Sequence, residues 1–276
     1  MEWHEEFRDK FIYANKEAIQ IKNENIPKSL YKYYSFHENK IETLKNNKIH
    51  FSEPKGFNDP FDCSCEVLDP NVIIDEIRRK SGLLQIDKYY FDKGIEILKK
   101  TIDEINNGYI TCCFSEDYKS ILMWSHYANS HNGFCIEYNL LESPQRVINS
   151  LYPILYNDYR PNLTQDILKY INDHQYVIGN IIFSTYLNKA KVWSYEREWR
   201  IIHSKNLFFR KDDIDKSGKD LNIECKPKGI YVGLNAEPDR IRCLKSIAKQ
   251  YKCLIYKMEK SKDKFELYEE VIGDYR

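Results

Sequence analysis

Between Ile121 and Leu140 the spacing of apolar residues changes from three-and-four to two, and that change within one short run limits what can surround it. Met123-Trp124-Ser125-His126-Tyr127-Ala128 places Met123, Trp124, Tyr127, Ala128 and Ile121 on one helical stripe, with His126 just off its edge and Ser125 opposite. Asn132-Gly133 interrupts the helix, Gly133 standing where a left-handed stop is expected. Phe134, Ile136, Tyr138 and Leu140 then alternate with Cys135, Glu137 and Asn139, the pattern of a strand buried on one face. A helix delivering the chain straight into such a strand needs a sheet to join and a layer to cover it. The expected class is α+β, with a twisted mixed or antiparallel sheet.

The flanking sequence fills in that frame. Trp3, Phe7, Phe11, Ala14 and Ala18 recur at steps of three and four and predict an N-terminal helix over residues 1–24, ended by Pro27. Leu30-Tyr31-Lys32-Tyr33-Tyr34 predicts a strand, Ser35 or Asn39 a cap for a short helix through Ile41 and Leu44, and Ile49-His50-Phe51 a second strand. Helical insertions are expected at about 70–106 and 163–188. Residues 109–114 suit a buried strand, followed by Ser115-Glu116-Asp117 as cap for the Trp124 helix. Residues 195–202 predict a strand whose even positions, Glu196, Glu198, Arg200 and Ile202, share a face. After a polar excursion over 210–226, residues 229–234 form a buried strand. Asn235 is placed to cap a helix with Pro238 in its first turn, and two strands close the chain at 253–258 and 264–271. With no internal repeat and no long linker, residues 1–276 are expected to form a single domain.

Charge and cysteine usage narrow the function classes. Basic and acidic residues balance at 42 each, which removes the footprint of a broad nucleic-acid surface. No apolar run approaches the ~20 residues that span a bilayer, and Met1-Glu2-Trp3-His4-Glu5-Glu6 lacks the apolar core of a signal peptide. The eight cysteines are therefore expected as reduced thiols in a cytoplasmic protein. Cys63-x-Cys65 and Cys112-Cys113 lack zinc-site spacing, so no metal is expected, and neither a Walker loop nor G-x-G-x-x-G is present. The 22 tyrosines favour strands and aromatic-lined pockets.

Three segments combine aromatics with fixed charges: Phe57-Asn58-Asp59-Pro60-Phe61, the Trp124 helix, and Trp193-Ser194-Tyr195-Glu196-Arg197-Glu198-Trp199-Arg200. With Leu30-Tyr31-Lys32-Tyr33, Cys113-Phe114-Ser115, Gly133-Phe134-Cys135-Ile136-Glu137-Tyr138 and Lys191-Val192-Trp193, they resemble a bacterial family known as domain of unknown function 2971. A looser resemblance is to the ADP-ribosyltransferase-like superfamily, whose members open on strand, helix, strand, the shape of residues 30–52 here, and close on a strand-borne Glu; it implies a split form of the α+β sheet. Glu196-Arg197-Glu198 is similar to the Glu-x-Glu of the arginine-modifying members, whereas Lys32 and Tyr33 stand where those enzymes carry His or Arg.

The second resemblance implies a toxin or antiviral-defence effector that uses NAD as substrate, either as an ADP-ribosyltransferase or as an NAD glycohydrolase. Glu198 is then the carboxylate that stabilises the oxocarbenium ion, with Glu196 and His126 in acid–base roles. Lys32, Tyr33, Asn58, Asp59, Trp124, Tyr127 and Arg200 bind the substrate by stacking or by holding its pyrophosphate. The partners are a small nucleotide and, for a transferase, a macromolecular acceptor. Structural roles compete at each position: Trp124 and Tyr127 as core, Glu198 and Arg200 as an ion pair, His126 as a boundary residue, Asn58 and Asp59 as turn formers. Two other classes stay open, a non-catalytic nucleotide sensor and a nuclease-like effector using Asp59, His126 and Glu198.

Overall fold

The computed structural model describes residues 2–13, 15–64, 69–82, 88–173, 183–205 and 220–276. In chain order these contain α1 (Glu2–Ile12), α2 (Lys16–Glu24), β1 (Leu30–Tyr34), α3 (Glu38–Lys45), β2 (Ile49–His50), α4 (Pro70–Ser81), α5 (Lys88–Gly108), β3 (Tyr109–Ser115) and α6 (Ile121–Tyr127). Next come β4 (Phe134–Tyr138), α7 (Gln145–Asn149), β5 (Leu151–Pro153), β6 (Leu155–Asn157), α8 (Leu163–Asn172), β7 (Asn188–Ala190), β8 (Glu198–Ser204) and β9 (Asp220–Leu221). β10 (Gly229–Val232), α9 (Pro238–Tyr251), β11 (Leu254–Lys260) and β12 (Leu267–Asp274) complete the order. Eight strands make a mixed sheet in the order β12-β11-β10-β4-β1-β3-β8-β5. The fold is α+β. Its neighbours run antiparallel except β10 and β11, and α9 makes the crossover that a parallel pair requires.

Alternation along β1 divides the core. Leu30 and Tyr34 face one side with Ile41 and Leu44 of α3 and Leu244, Ile247 and Ala248 of α9. Tyr31 and Tyr33 face the other, against Met123 and the fully buried Trp124 of α6. A third cluster seats Phe7, Phe11 and Ala18 of the N-terminal helices on Leu155, Tyr186, Leu187 and Ile202.

One irregularity positions the site. β1 pairs with β4 along five residues but with β3 at Tyr31 and Ser115 alone. Four residues along, Thr111 is bridged by Ser52 instead, so the sheet is splayed between β1 and β3 over residues 111–115.

Several local expectations are corrected. The expected N-terminal helix is two, because the Asn15 side chain accepts from Glu17 N and starts a second one. His37 precedes α3 without a side-chain cap, Ser120 rather than residues 115–117 caps α6, and Glu237 rather than Asn235 precedes α9. Ile121 is 40% exposed and does not join the buried stripe. The left-handed residues after α6 are Asn129, Ser130 and His131, not Gly133. Gly133 is required for a different reason: a Cβ there would lie 2.1 Å from Tyr34 O and 2.9 Å from Ala128 Cα. The strand expected from 195 begins at Glu198, since Lys191–Glu196 is a 3-10 helix and Arg197 is left-handed at φ 46°. Asn188 opens β7 instead of ending a helix. The middle of the insertion expected over 163–188 and most of the excursion over 210–226 lie outside the described residues.

Gly133→Ala is expected to cost at least about 2–3 kcal/mol by overpacking against backbone that cannot give way. Gly56→Ala, where a Cβ meets nothing within 4 Å, is the matched control. Chemical denaturation checks the pair, and equal midpoints would contradict the close approach.

Candidate functional site

β8 enters the sheet between β3 and β5, and its alternation turns Glu198 and Arg200 to one face. Arg200 is wholly buried, and its neighbours take all five N–H groups of a guanidinium. Nε donates to Glu198 Oε1 at 2.6 Å and Nη2 to Glu198 Oε2 at 3.0 Å. Nη1 and Nη2 donate to Asp62 Oδ1 and Oδ2 at 2.8 and 2.6 Å, and Nη1 also to Cys63 Sγ and Tyr186 O, both at 3.1 Å. Such forked, charge-assisted pairs are the strongest hydrogen bonds available to a protein. They also leave Arg200 no donor for a ligand, so the pyrophosphate contact expected of it does not form.

A second buried cation shares the carboxylates. Lys189, on β7, donates to Glu198 Oε2 at 2.9 Å, contacts Asp62 Oδ2 at 3.5 Å, and makes a short hydrogen bond to Glu196 Oε2. Glu196 arrives from the end of the 3-10 helix, which the left-handed Arg197 then turns into β8. Its Oε1 accepts from Tyr127 OH on α6 at 2.6 Å, and its backbone carbonyl accepts from Ser115 Oγ at 2.7 Å. The Glu198 amide donates to Tyr156 OH at 2.9 Å. The two carboxylates thus meet on a common ammonium, although not by the strand alternation expected for Glu196.

Three carboxylates against two cations leave one excess negative charge in a poorly solvated space. Burial pushes the Glu198 carboxyl upward, but Arg200 and Lys189 outweigh it and hold Glu198 far below the usual range. For Glu196, burial and the neighbouring Glu198 carboxylate outweigh Lys189 and Tyr127, and its pKa is pushed up to about 7. Burial carries the Cys113 thiol well above its ordinary value, which argues against a thiolate nucleophile there.

This network floors a cavity of about 370 Å³ lined by Lys32, Tyr33, Asn58, His126, Tyr127, Glu196, Glu198 and Arg200 of the expected set. His126 is exposed and sits among the rings of Tyr127, Trp193 and Tyr195, with centroids 6.3–6.4 Å away. Two expected residues do not line the cavity. Trp124 is core, its Nε1 donating to Tyr118 O at 2.7 Å, and Asp59 accepts from Phe61 N at 2.9 Å within its own turn. A nuclease-like trio of Asp59, His126 and Glu198 is therefore not assembled. Among the described residues no group of three or more His, Cys, Asp and Glu is placed to hold a metal ion. Sequence reasoning missed Lys189, Asp62 and Cys63. The signal for Asp62 was its place directly after Phe57-Asn58-Asp59-Pro60-Phe61, whereas Lys189 had none beyond its nearness to Trp193.

Residues 123–201 match the model of a family described as protein of unknown function (DUF2971). That stretch runs from α6 to β8 and carries His126, Tyr127, Lys189, Glu196, Glu198 and Arg200, while Lys32, Asn58 and Asp62 lie before it. No curated protein and no solved structure matches the chain, and the likeness to ADP-ribosyltransferases gains no support from these comparisons. No helix among the described residues is long and apolar enough to cross a membrane.

Lys189→Met leaves buried carboxylates without their counter-charge and is expected to cost about 3–5 kcal/mol. Lys191→Met, at an exposed pair with Asp158, should cost under about 0.5 kcal/mol in the same urea titrations. The raised Glu196 also fixes a sign. The folded chain holds an extra proton between the ordinary value of 4.5 and about 7. The stability this gives is full below that window and lost as pH rises through it. Subtracting the Tm-versus-pH curve of Glu196→Gln from that of wild type should therefore leave a falling difference between roughly pH 5 and 7; a flat or rising one would contradict the assignment.

Proposed function

We propose that the cavity binds NAD as substrate and breaks the bond between nicotinamide and ribose, passing ADP-ribose to water or to a macromolecular acceptor. The observation that carries this reading is the pair of carboxylates on one buried lysine, one held ionised and one close to neutrality, at the floor of an aromatic-walled cavity. Acid–base pairs are set up in this way, by environments that drive two like groups apart.

In such a reaction the C–N bond breaks with its electron pair going to the nicotinamide nitrogen, and positive charge develops on the ribose. Glu198, held ionised by Arg200 and Lys189, supplies the fixed negative field and an acceptor for a ribose hydroxyl. The nucleophile's proton goes to Glu196, whose pKa near the working pH suits a general base. Tyr127 orients that carboxylate, and Tyr33 and Phe57 offer ring surface to the nicotinamide. His126, at the exposed edge, can relay the proton outward. Arg200 acts through Glu198 as a positioning residue. An NAD-consuming activity suits a cytoplasmic toxin or antiviral-defence effector, because it drains a pool the whole cell shares.

A second reading, a nucleotide sensor without chemistry, draws on the saturation of Arg200 and the double clamp on Glu198, which also describe a structural network. Nicotinamide release from NAD separates the two. The expected result is release that rises through about pH 7 and falls at least about 100-fold in Glu196→Gln and Glu198→Gln. A nucleotide that raises Tm and is recovered unchanged, with and without protein or nucleic-acid acceptors, would establish the sensor instead.

A further inference from the structure

We propose that the slot between β1 and β3 is a phosphate subsite, in which Lys32 Nζ, Thr111 Oγ1 and the Cys113 amide hold the phosphate or pyrophosphate of a nucleotide. This rests on the reading of the cavity as a ligand site but not on cleavage.

The slot has defined ends. Tyr31 and Ser115 pair at one, and Ser52 and Thr111 exchange two backbone hydrogen bonds at the other, of 2.8 and 2.9 Å. Thr111 and Ser115 are four strand positions apart, about 13 Å at 3.3 Å per residue. Between them β1 has parted from β3, and Lys32 reaches across to the Cys113 carbonyl at 3.3 Å. Antiparallel ladders alternate the side to which a residue's backbone groups point. The Thr111 amide and carbonyl point away from β8, toward Ser52, so those of Cys113 point the same way, into the slot.

Thr111 supplies an independent observation. It is 1% exposed, lines the cavity, and its Oγ1 has no hydrogen-bond partner among the described residues. Buried hydroxyls are ordinarily paired, and one left unpaired in a cavity wall is the expected state of a group that pairs with a ligand. Lys32 and Cys113 line the same cavity, and the ammonium of one and the slot-facing amide of the other are donors both, so the complementary ligand group is an acceptor-rich anion. Lys40 of α3 adds positive charge beside Lys32, while Asp220, also near, is engaged by His50 at 2.6 Å and Thr43 at 2.8 Å.

The placement matches the proposed substrate. The carboxylates gather about Ser115, whose hydroxyl bonds the Glu196 carbonyl, and the Lys32 ammonium and the unpaired Thr111 hydroxyl lie toward the other end. A ligand positive at one end and negative at the other, as a pyridinium dinucleotide is, meets opposite charge at each.

Calorimetric titration of the full chain with inorganic pyrophosphate and with ADP-ribose tests the subsite. Wild type should bind both, more weakly as salt rises. Lys32→Met should lose at least about tenfold in affinity, and Thr111→Val about tenfold, the effect of one hydrogen bond to a charged group. Thr111→Val keeps the shape of the side chain and removes an unpaired hydroxyl, so its ligand-free Tm should stay equal or rise, and Lys264→Met should bind as wild type does. Absence of binding by wild type, or wild-type affinity in both slot variants, overturns the subsite. Nicotinamide release by the same variants keeps the two readings apart. Cleavage with an unchanged KM in both removes the subsite and leaves the glycosidic reading, whereas the expected affinity losses without cleavage do the reverse.

Discussion

The enclosed guanidinium of Arg200 is the interaction on which the arrangement of the cavity depends. A charge taken out of water is tolerated only where its hydrogen bonds and its counter-charge are both supplied. Here the suppliers come from three places: Asp62 and Cys63 from the loop before α4, Tyr186 from the turn before β7, and Glu198 from the same strand. Segments 138 residues apart in sequence are fixed to one another by this single side chain. The cavity floor is in consequence a rigid polar layer inside an apolar shell of Phe57, Tyr186 and Ile202.

The surplus carboxylate gives that layer its chemical character. Were the cations and carboxylates equal in number, the network would be a structural ion cluster and nothing more. With one acid over, the cluster holds a proton that can leave near neutrality, and geometry assigns that proton to Glu196, which faces Tyr127 rather than Arg200. The same imbalance both destabilises the ionised fold and leaves Glu196 close to neutrality, as the proposed general base requires.

Elements set by local periodicity were legible in the sequence. β4, β10 and α9 follow from alternation, apolar runs and a proline at the first helical turn, which need no distant partner. Glu198 and Arg200 share a face because they are two apart on a true strand. Glu196 was placed beside them by extending that alternation over residues that form a 3-10 helix, and it arrives there through the left-handed Arg197 instead. Lys189 reads as one basic residue among 42, because its burial is decided by Asp62, Glu196 and Glu198 and by nothing adjacent. Trp124 was legible as core and as site at once, and packing took it entirely. The slot between β1 and β3 leaves no trace in composition, since it arises from where pairing stops.

Gly133 bears on how the cavity would receive the proposed ligand. Its carbonyl accepts from Gly233 N at 2.9 Å, and its missing Cβ lets the exit of α6 press against the Tyr34 carbonyl at the end of β1. The helix that carries His126 and Tyr127 is thereby seated on the sheet at the level of the backbone, with no flexible side chain between them to absorb a hinge. A wall fixed in this way is already shaped in the free protein, so little motional freedom would be surrendered on binding the proposed ligand. Discrimination among ligands would then fall to fit and charge rather than to closure.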